Sequence, residues 1–322
     1  MNKGYQMHAV SVTAIEQLTP LIKRFTFAPC SGEAFPAFTG GSHVIVKMQD
    51  GEECYSNAYS LMSDPKALDQ YQISVRLDAE GKGGSKYMHE QVQVGTLLEL
   101  SAPNNLFELA PAGQKHVLIA GGIGITPFMP QLAELQARGA EYELHYAFRA
   151  PEDGALWPEL QASAHADRCH CYIDSEGRRL DVDGLLSAQP KGTHVYVCGP
   201  KPLIDAVIDS ANRHRFRDEY IHWEQFATEV PTDAASFTVV LAQSGLEVVV
   251  GADQTILQAI ESLAVEVECL CREGVCGTCE TRILEGEAEH YDQYLSDEEK
   301  AAQQSMMLCV SRAKGQRLVL DL

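Results

Sequence analysis

Four cysteines near the C-terminus constrain this 322-residue chain more than any other feature. Cys271, Cys276 and Cys279 follow the spacing Cys-x4-Cys-x2-Cys, and Cys309 follows after 29 intervening residues. This is the ligand spacing of a plant-type [2Fe–2S] cluster. Gly274 and Gly277, which lie between Cys271 and Cys279, allow the sharp turns that a loop around a cluster requires. Zinc is the alternative, but its sites usually have two cysteine pairs, and only one is present. The spacing therefore predicts a one-electron carrier.

The length of 322 residues predicts two or three domains, and an apolar fraction of 45% supports packed cores. Ten cysteines in a chain of this length are not typical of a disulfide framework. The N-terminal residues lack the unbroken apolar stretch of a signal peptide, and no segment approaches the roughly 20 apolar residues of a membrane span. We therefore expect a cytoplasmic protein without membrane contact.

The charge excludes one class of partner. The chain has 25 basic and 45 acidic residues, a net charge of −20, whereas nucleic-acid binding depends on basic surface. Between Phe237 and Leu322, 6 basic and 15 acidic residues give −9. Solubility alone explains this excess, and an acidic docking face for a basic partner is the alternative.

Changes in the predicted secondary-structure pattern along the chain indicate the domains. Short β-branched and aromatic runs in the first third, separated by Gly, Pro and Asp, predict an antiparallel β-barrel with one helix starting near Ser85. Strands then alternate with helices, one of them over Thr126 to Arg138, which predicts a doubly wound α/β domain. Ala227 to Ser236 is typical of a linker. An α+β unit follows, with the cysteine loop and a returning strand that carries Cys309. The predicted bounds are 1–112, 113–227 and 236–322.

Two glycine-containing strand ends predict a dinucleotide site in the middle domain. One is Gly121-Gly122-Ile123-Gly124-Ile125-Thr126, and the other is Cys198-Gly199-Pro200. Ligands of doubly wound sheets bind at the carboxyl ends of strands, and a helix N-terminus offers amide donors to a pyrophosphate. A tight turn also needs glycine, and the first motif is not the Gly-x-Gly-x-x-Gly fingerprint. The pair of motifs favours the dinucleotide interpretation.

Weaker signals lie in the first domain. Gly83-Gly84-Ser85 precedes its helix, with Lys82 and Arg76 nearby. This is either a phosphate seat or an ordinary glycine turn with a serine N-cap. Tyr59 and Ser60 can cover and hydrogen-bond a flavin ring, but such a pair is more often plain strand sequence. The same holds for Phe226 and for Asp174.

Taken together, these residues resemble the phthalate dioxygenase reductase family over nearly the whole chain. The segments that carry the resemblance are SNAYSLMSDP (56–65), SAPNNLFEL (101–109), AGGIGITPF (120–128), VECLCREGVCGTCET (267–281) and QQSMMLCVSRAKGQRLVLDL (303–322). The resemblance implies an FMN-binding barrel, an NADH-binding α/β domain and a plant-type ferredoxin domain. It also implies that electrons pass from NADH through FMN and the cluster to a Rieske-type oxygenase.

The resemblance implies roles for the weaker motifs as well. Tyr59 and Ser60 contact the isoalloxazine, Phe226 stacks over it, and Ser60 and Cys198 are the expected catalytic residues. The remaining expected cofactor contacts are Arg76, Gly83, Gly84 and Ser85 for the FMN phosphate, Gly122, Gly124, Thr126, Gly199 and Pro200 for NADH, and Asp174 for its ribose. One position departs from the family, because Asn57 stands where an Arg usually pairs with the flavin phosphate.

Two alternatives remain. The partner is an oxygenase whose substrate the sequence does not reveal, and an aromatic demethylase is one candidate. A non-catalytic redox sensor is a different class, but the complete hydride-transfer layout argues against it. Asp174 favours NADH over NADPH, since it repels a 2′-phosphate. Arg149, Arg178 and Arg179 are the basic residues that could reverse this preference.

Overall fold

The computed structural model describes residues 5–51, 53–226 and 235–322. Internal contacts divide these residues into two compact units. The N-terminal unit contains residues 7–55 and 59–226, and the C-terminal unit contains residues 5–6, 56–58 and 235–322. Most of the predicted linker from Ala227 to Ser236 lies outside the described residues. The predicted domain bounds therefore stay predictions.

The first part of the chain forms a barrel-like antiparallel sheet with strand order β4-β3-β6-β1-β2-β5, and a short β7 pairs with β3. Its strands are β1 (Met7–Thr19), β2 (Ile22–Pro29), β3 (Ser42–Asp50), β4 (Glu53–Ser60), β5 (Tyr71–Arg76), β6 (Leu97–Ser101) and β7 (Asn104–Asn105). Alternate residues such as Phe25 and Phe27, or Val44 and Val46, are buried in one core, as the twofold period of a strand requires. Helix α1 (Gly84–Glu90) begins where the sequence predicts.

A five-stranded parallel sheet follows, with strand order β10-β9-β8-β11-β12. Its strands are β8 (Lys115–Gly121), β9 (Glu141–Phe148), β10 (Cys169–Ile173), β11 (Thr193–Cys198) and β12 (Ile221–Glu224), and its helices are α2 (Phe128–Arg138), α3 (Trp157–Ala162), α4 (Val182–Ser187) and α5 (Lys201–Arg213). Helices cover both faces, since separate apolar clusters pack against α2 with α3 and against α4 with α5. Strands β9 and β10 are added on one side of β8, and β11 and β12 on the other, so the strand order reverses between β8 and β11. The ligand crevice of such sheets opens at this point.

The prediction of a helix starting at Thr126 is wrong by two residues. Gly122–Ile125 form a 3₁₀ helix, and α2 begins at Phe128. Gly122 adopts a left-handed φ of 55°, which tightens the turn. Pro127 comes just before the helix, where its missing N–H costs no hydrogen bond.

The C-terminal unit contains a five-stranded sheet of order β14-β13-β19-β15-β17 and a two-stranded ladder of β16 and β18. The elements are β13 (Phe237–Leu241), β14 (Leu246–Val250), α6 (Ile256–Glu261), β15 (Glu280–Glu285), β16 (Ala288–Glu289), α7 (Asp297–Ala302), β17 (Ser305–Met307), β18 (Arg312–Ala313) and β19 (Arg317–Leu320). Thr255 and Gln258 form a capping box that starts α6, whose Ile256, Leu257 and Ile260 enter the core.

The predicted strand at Cys309 is wrong. Strand β17 ends at Met307, and the chain then turns, because the amides of Val310 and Ser311 both donate to the Met307 carbonyl. The turn leaves Cys309 outside the sheet ladder. Among helices in residues 5–51, 53–226 and 235–322, none combines the length and the apolar character needed to cross a bilayer.

Candidate redox sites

The four predicted cluster ligands come together in the C-terminal unit. The side chains of Cys271, Cys276, Cys279 and Cys309 are all buried. The Cys271 thiol contacts those of Cys276 and Cys309, and the Cys279 thiol contacts that of Cys309. Four converging sulfurs in a site closed to water fit the ligand set of a [2Fe–2S] cluster.

The cysteine loop depends on left-handed backbone. Arg272, Gly274 and Gly277 have φ values of 56°, 74° and 74°. A Cβ at Gly277 would lie 2.3 Å from the Tyr294 ring, and one at Gly274 would lie 2.7 Å from Val310 Cγ2. Both glycines are therefore needed for conformation and for space.

Hydrogen-bond donors surround the loop sulfurs. The Glu273 amide donates to Cys271 Sγ at 3.3 Å, and the Val275 amide contacts the same sulfur. Cys276 Sγ lies 3.2 Å from the Thr278 hydroxyl oxygen. Hydrogen bonds to ligand sulfurs stabilise the thiolate and tune the potential of a cluster.

A fifth thiol, that of Cys269, also lies at this site. It is half-buried and contacts the thiols of Cys279 and Cys309. Its hydrogen bond to Cys279 is the main reason why its pKa falls to about 4. Cys271 gives the Cys-x4-Cys-x2-Cys spacing of the ligand set and Cys269 does not, so the assignment of Cys271 rests on spacing.

Asn57 belongs to the C-terminal unit by its contacts. Its Nδ2 donates to Glu273 Oε1 at 3.0 Å, and the Ala58 amide donates to Glu273 Oε2 at 3.0 Å. The amide that replaces the family Arg is therefore engaged by a carboxylate of the cysteine loop. Sequence reasoning missed Glu273, because no local pattern connects it with a residue more than 200 positions earlier.

In the N-terminal unit, Ser60 ends β4 with a buried hydroxyl. The residue is 5% exposed, and its Oγ has no hydrogen-bond partner among the described residues. A buried, unsatisfied hydroxyl costs roughly 1–3 kcal/mol. A flavin ring offers hydrogen-bonding groups that would remove this cost. Tyr59 is half-buried and packs against the barrel core.

The predicted phosphate seat has protein partners of its own. Gly83 precedes α1 with a φ of 99°, and a Cβ there would lie 2.7 Å from the Tyr55 ring. The Ser85 hydroxyl accepts a hydrogen bond from the Asp78 amide at 3.1 Å. Arg76 forms an ion pair of 3.4 Å with Asp153. A phosphate at this place would have to compete with both interactions.

The two glycine motifs of the α/β domain pack against each other. A Cβ at Gly124 would lie 2.3 Å from the Cys198 carbonyl oxygen, and one at Gly199 would lie 2.9 Å from Gly121 Cα. These two glycines are therefore required for the close approach of the two backbone segments. Gly122 differs, because a Cβ there would meet open space. Gly122 thus presents open backbone between the ends of β8 and β11, where sheets of this kind bind their ligands.

A carboxyl that sequence reasoning missed lies beside Cys198. Parallel register places Glu224 next to Cys198, whose thiol donates to Glu224 Oε2 at 3.8 Å. Burial raises the pKa of Glu224 to about 8, and burial also raises the pKa of Cys198. Both groups therefore hold their protons at neutral pH. The only sequence signal was an acidic residue at a strand end.

The remaining predicted contacts lie at the rim of the same domain. Asp174 is exposed directly after β10. Arg179 Nε lies 3.9 Å from Asp174 Oδ1, and Arg178 forms an ion pair of 2.6 Å with Glu176. Phe226 is half-buried against the apolar cluster that includes α2.

Three family models match consecutive parts of the chain. An oxidoreductase FAD-binding domain matches residues 9–109, an oxidoreductase NAD-binding domain matches 118–209, and a 2Fe-2S iron-sulfur cluster binding domain matches 239–314. These matches confirm the predicted three-part fold and the flavin, nicotinamide and cluster cofactor classes.

Similar proteins have the same extent. The carnitine monooxygenase reductase subunit of Acinetobacter baumannii is 66% identical over 100% of both chains. The subunit of the same name from Escherichia coli is 56% identical over 99% of both. A structure described as phthalate dioxygenase reductase, a modular structure for electron transfer from pyridine nucleotides to [2Fe–2S], has a TM-score of 0.76, 31% identity and 98% coverage of both chains. The chain therefore belongs to the phthalate dioxygenase reductase family, the flavin- and [2Fe–2S]-dependent reductase components of oxygenase systems.

Proposed function

We propose that this protein is the NADH-dependent reductase of a Rieske-type oxygenase, and that the oxygenase is carnitine monooxygenase, which converts carnitine to trimethylamine. The observation that carries the proposal is 66% identity along the entire length to a carnitine monooxygenase reductase subunit. Partner recognition depends on surface distributed over the whole reductase, so identity over the full chain is more informative than identity at the cofactor sites.

We propose the following roles for the residues on the nicotinamide side. The backbone of Gly122 and Gly124, together with Thr126 and the loop Cys198-Gly199-Pro200, would hold NADH between the ends of β8 and β11. Asp174 binds the adenosine ribose. The Cys198 thiol would lie beside the nicotinamide and donates to the Glu224 carboxyl of the neighbouring strand.

The flavin is FMN, held by the barrel. The buried Ser60 hydroxyl would hydrogen-bond the ring, Tyr59 would cover it, and Phe226 would occupy the place that the nicotinamide takes. Ser60 and Cys198 are the catalytic residues of hydride transfer. Gly83, Gly84, Ser85 and Arg76 would hold the phosphate, and Asn57 cannot make the bidentate, charge-assisted pair that an Arg makes with phosphate.

The cluster is held by the thiolates of Cys271, Cys276, Cys279 and Cys309. When bound, NADH supplies a hydride, FMN accepts two electrons and releases them singly, and the cluster carries one electron at a time. The chain supplies placement, dry surroundings for the sulfurs, and amide donors that stabilise their charge. The protein acts in the cytoplasm, where reduced thiols persist.

Reconstitution tests the proposal. The reductase is mixed with a carnitine monooxygenase oxygenase component, and NADH oxidation and trimethylamine formation are followed with and without carnitine. We expect oxidation that depends on both carnitine and the oxygenase, with trimethylamine formed in step with NADH consumed. The control replaces the oxygenase with that of an aromatic demethylase and its substrate. Faster coupled turnover with the demethylase would overturn the assignment of the partner.

A further inference from the structure

A group of metal-ligating side chains lies away from the redox sites, on the edge of the parallel sheet. Strand register places His170 of β10 directly beside His145 of β9. Glu143 lies two residues before His145 and so shares its face of the sheet. One donor atom from each of the three side chains lies within 4.8 Å of the other two.

The central histidine is arranged as a metal ligand usually is. His145 is 4% exposed, and its Nδ1 lies 2.9 Å from the Tyr172 hydroxyl. Its buried Nε2 has no hydrogen-bond partner within the part of the chain that the structure describes, and it lies 3.6 Å from Glu143 Oε2. In metal-ligating histidines one ring nitrogen is usually hydrogen-bonded to a neighbouring group, which leaves the other nitrogen available to the metal.

The carboxylate is oriented in the same way. Gln189 Nε2 donates to Glu143 Oε1 at 2.9 Å, which leaves Oε2 directed at His145. A positive charge opposes a cation here, since Lys115 Nζ lies 3.4 Å from Glu143 Oε1. The same ammonium lies 3.5 Å from Glu141 Oε1. Lys115 therefore keeps a carboxylate partner if a cation takes Glu143.

The third side chain supplies the adjustment that ligation needs. Tetrahedral zinc with bonds of about 2.0–2.1 Å brings its ligand atoms to roughly 3.3 Å from one another. His170 is exposed and stacks on His145 with a centroid distance of 4.9 Å. Rotation of this exposed imidazole can shorten the distances between the donor atoms from 4.8 Å or less to those that a bound ion requires.

We propose that Glu143, His145 and His170 form a binding site for a divalent transition-metal ion of the Zn²⁺ type, with one position left for water. Two imidazoles and one carboxylate suit such ions better than Ca²⁺ or Mg²⁺, which prefer oxygen ligands. The bound ion would cross-link the edge strand β10 to β9, four residues before Asp174. The site stands independently of the proposed partner.

The test is calorimetric titration of the intact holoenzyme with ZnCl₂ in a buffer that does not chelate. The wild type is compared with His170→Gln and with the matched control His214→Gln, whose imidazole is exposed and has a single carboxylate neighbour, Asp183 at 3.0 Å. We expect His170→Gln to lose one binding event or weaken it at least about tenfold, as loss of metal-site groups does. His214→Gln should bind like the wild type. Free cysteines contribute equally to all three titrations. Wild-type binding by His170→Gln would overturn the site.

Site-specific modification gives a second readout. Diethyl pyrocarbonate is applied with and without ZnCl₂, and the His170 peptide is quantified by mass spectrometry. Zn²⁺ should protect His170 in the wild type but not in Glu143→Gln, whose folding is checked by NADH-dependent ferricyanide reduction. Equal modification of wild-type His170 with and without Zn²⁺ would also overturn the site.

Discussion

In the C-terminal unit the candidate ligands are four buried thiols on one loop and one turn. In the N-terminal unit the candidate groups include strand-end backbone and the buried hydroxyls of Ser60 and Thr126. A cluster held by thiolates does not exchange during turnover, so its ligands can be buried away from water. NADH must enter and leave in every cycle, which suits the open backbone at Gly122. Electrons therefore arrive at a site in the N-terminal unit whose cofactor exchanges in every cycle, which we call the entry. They leave from a bound cluster in the C-terminal unit, which we call the exit.

The largest expected effect breaks the exit alone. Cys276→Ala removes one thiolate without offering a replacement ligand, so oxygenase-coupled turnover should fall to background. NADH-dependent ferricyanide reduction should remain, because hydride transfer needs only the N-terminal unit. Visible spectra and both activities are measured on the same preparation.

Cys269→Ala is the matched control, since its thiol lies beside those of Cys279 and Cys309 but does not fit the ligand spacing. It should keep the cluster and both activities. A Cys269→Ala protein without cluster, together with a Cys276→Ala protein that retains it, would show that the ligand assignment is wrong.

A second pair of variants breaks the entry. In Gly124→Ala the new Cβ would meet the Cys198 carbonyl at 2.3 Å, and overpacking of this kind costs about 1–3 kcal/mol or more. Gly122→Ala meets no atom and should cost only about 1–2 kcal/mol for its left-handed φ. Thermal inactivation of ferricyanide reduction should therefore occur at a clearly lower temperature in Gly124→Ala. The reverse order would contradict the packing of the two strand ends.

The entry should also discriminate between nicotinamide cofactors. Arg178 and Arg179 lie near the carboxylates of Glu176 and Asp174, which weaken the attraction of both guanidinium groups for a 2′-phosphate. We expect kcat/KM for NADH to exceed that for NADPH by at least about tenfold, which corresponds to 1.4 kcal/mol. Asp174→Ala should lower the ratio of kcat/KM for NADH to kcat/KM for NADPH, because it removes the acceptor for the ribose hydroxyl and the carboxylate beside Arg179. Equal kcat/KM values in the wild type would contradict this account.

The smallest effect concerns the flavin phosphate. Asn57→Arg adds a guanidinium that can pair with phosphate, and should lower the dissociation constant of FMN by up to about tenfold. Glu273 accepts from Asn57 at 3.0 Å and can capture the new Arg, so Asn57→Arg with Glu273→Gln should show the larger gain. Fluorescence titration of flavin-free protein measures both. Unchanged affinity in both variants would mean that other groups already satisfy the phosphate.

Local patterns made much of the fold predictable. The cysteine spacing and the alternation of apolar residues in β1–β3 are properties of short segments, and the structure agrees with both. Long-range register was not predictable, which is why Glu224 beside Cys198 was missed. The apolar run around Cys309 has strand composition, but hydrogen bonds to Met307 turn the chain there. Local composition does not encode that turn.

The most direct test asks whether the entry reaches the exit only through the flavin. Flavin-free protein with an intact cluster is mixed anaerobically with NADH, and cluster absorbance is followed before and after FMN is added. The cluster should stay oxidised without flavin and bleach once FMN is restored, with flavin absorbance changing first. Rapid bleaching of the cluster by NADH in the flavin-free protein would contradict the order of electron transfer proposed for the two units.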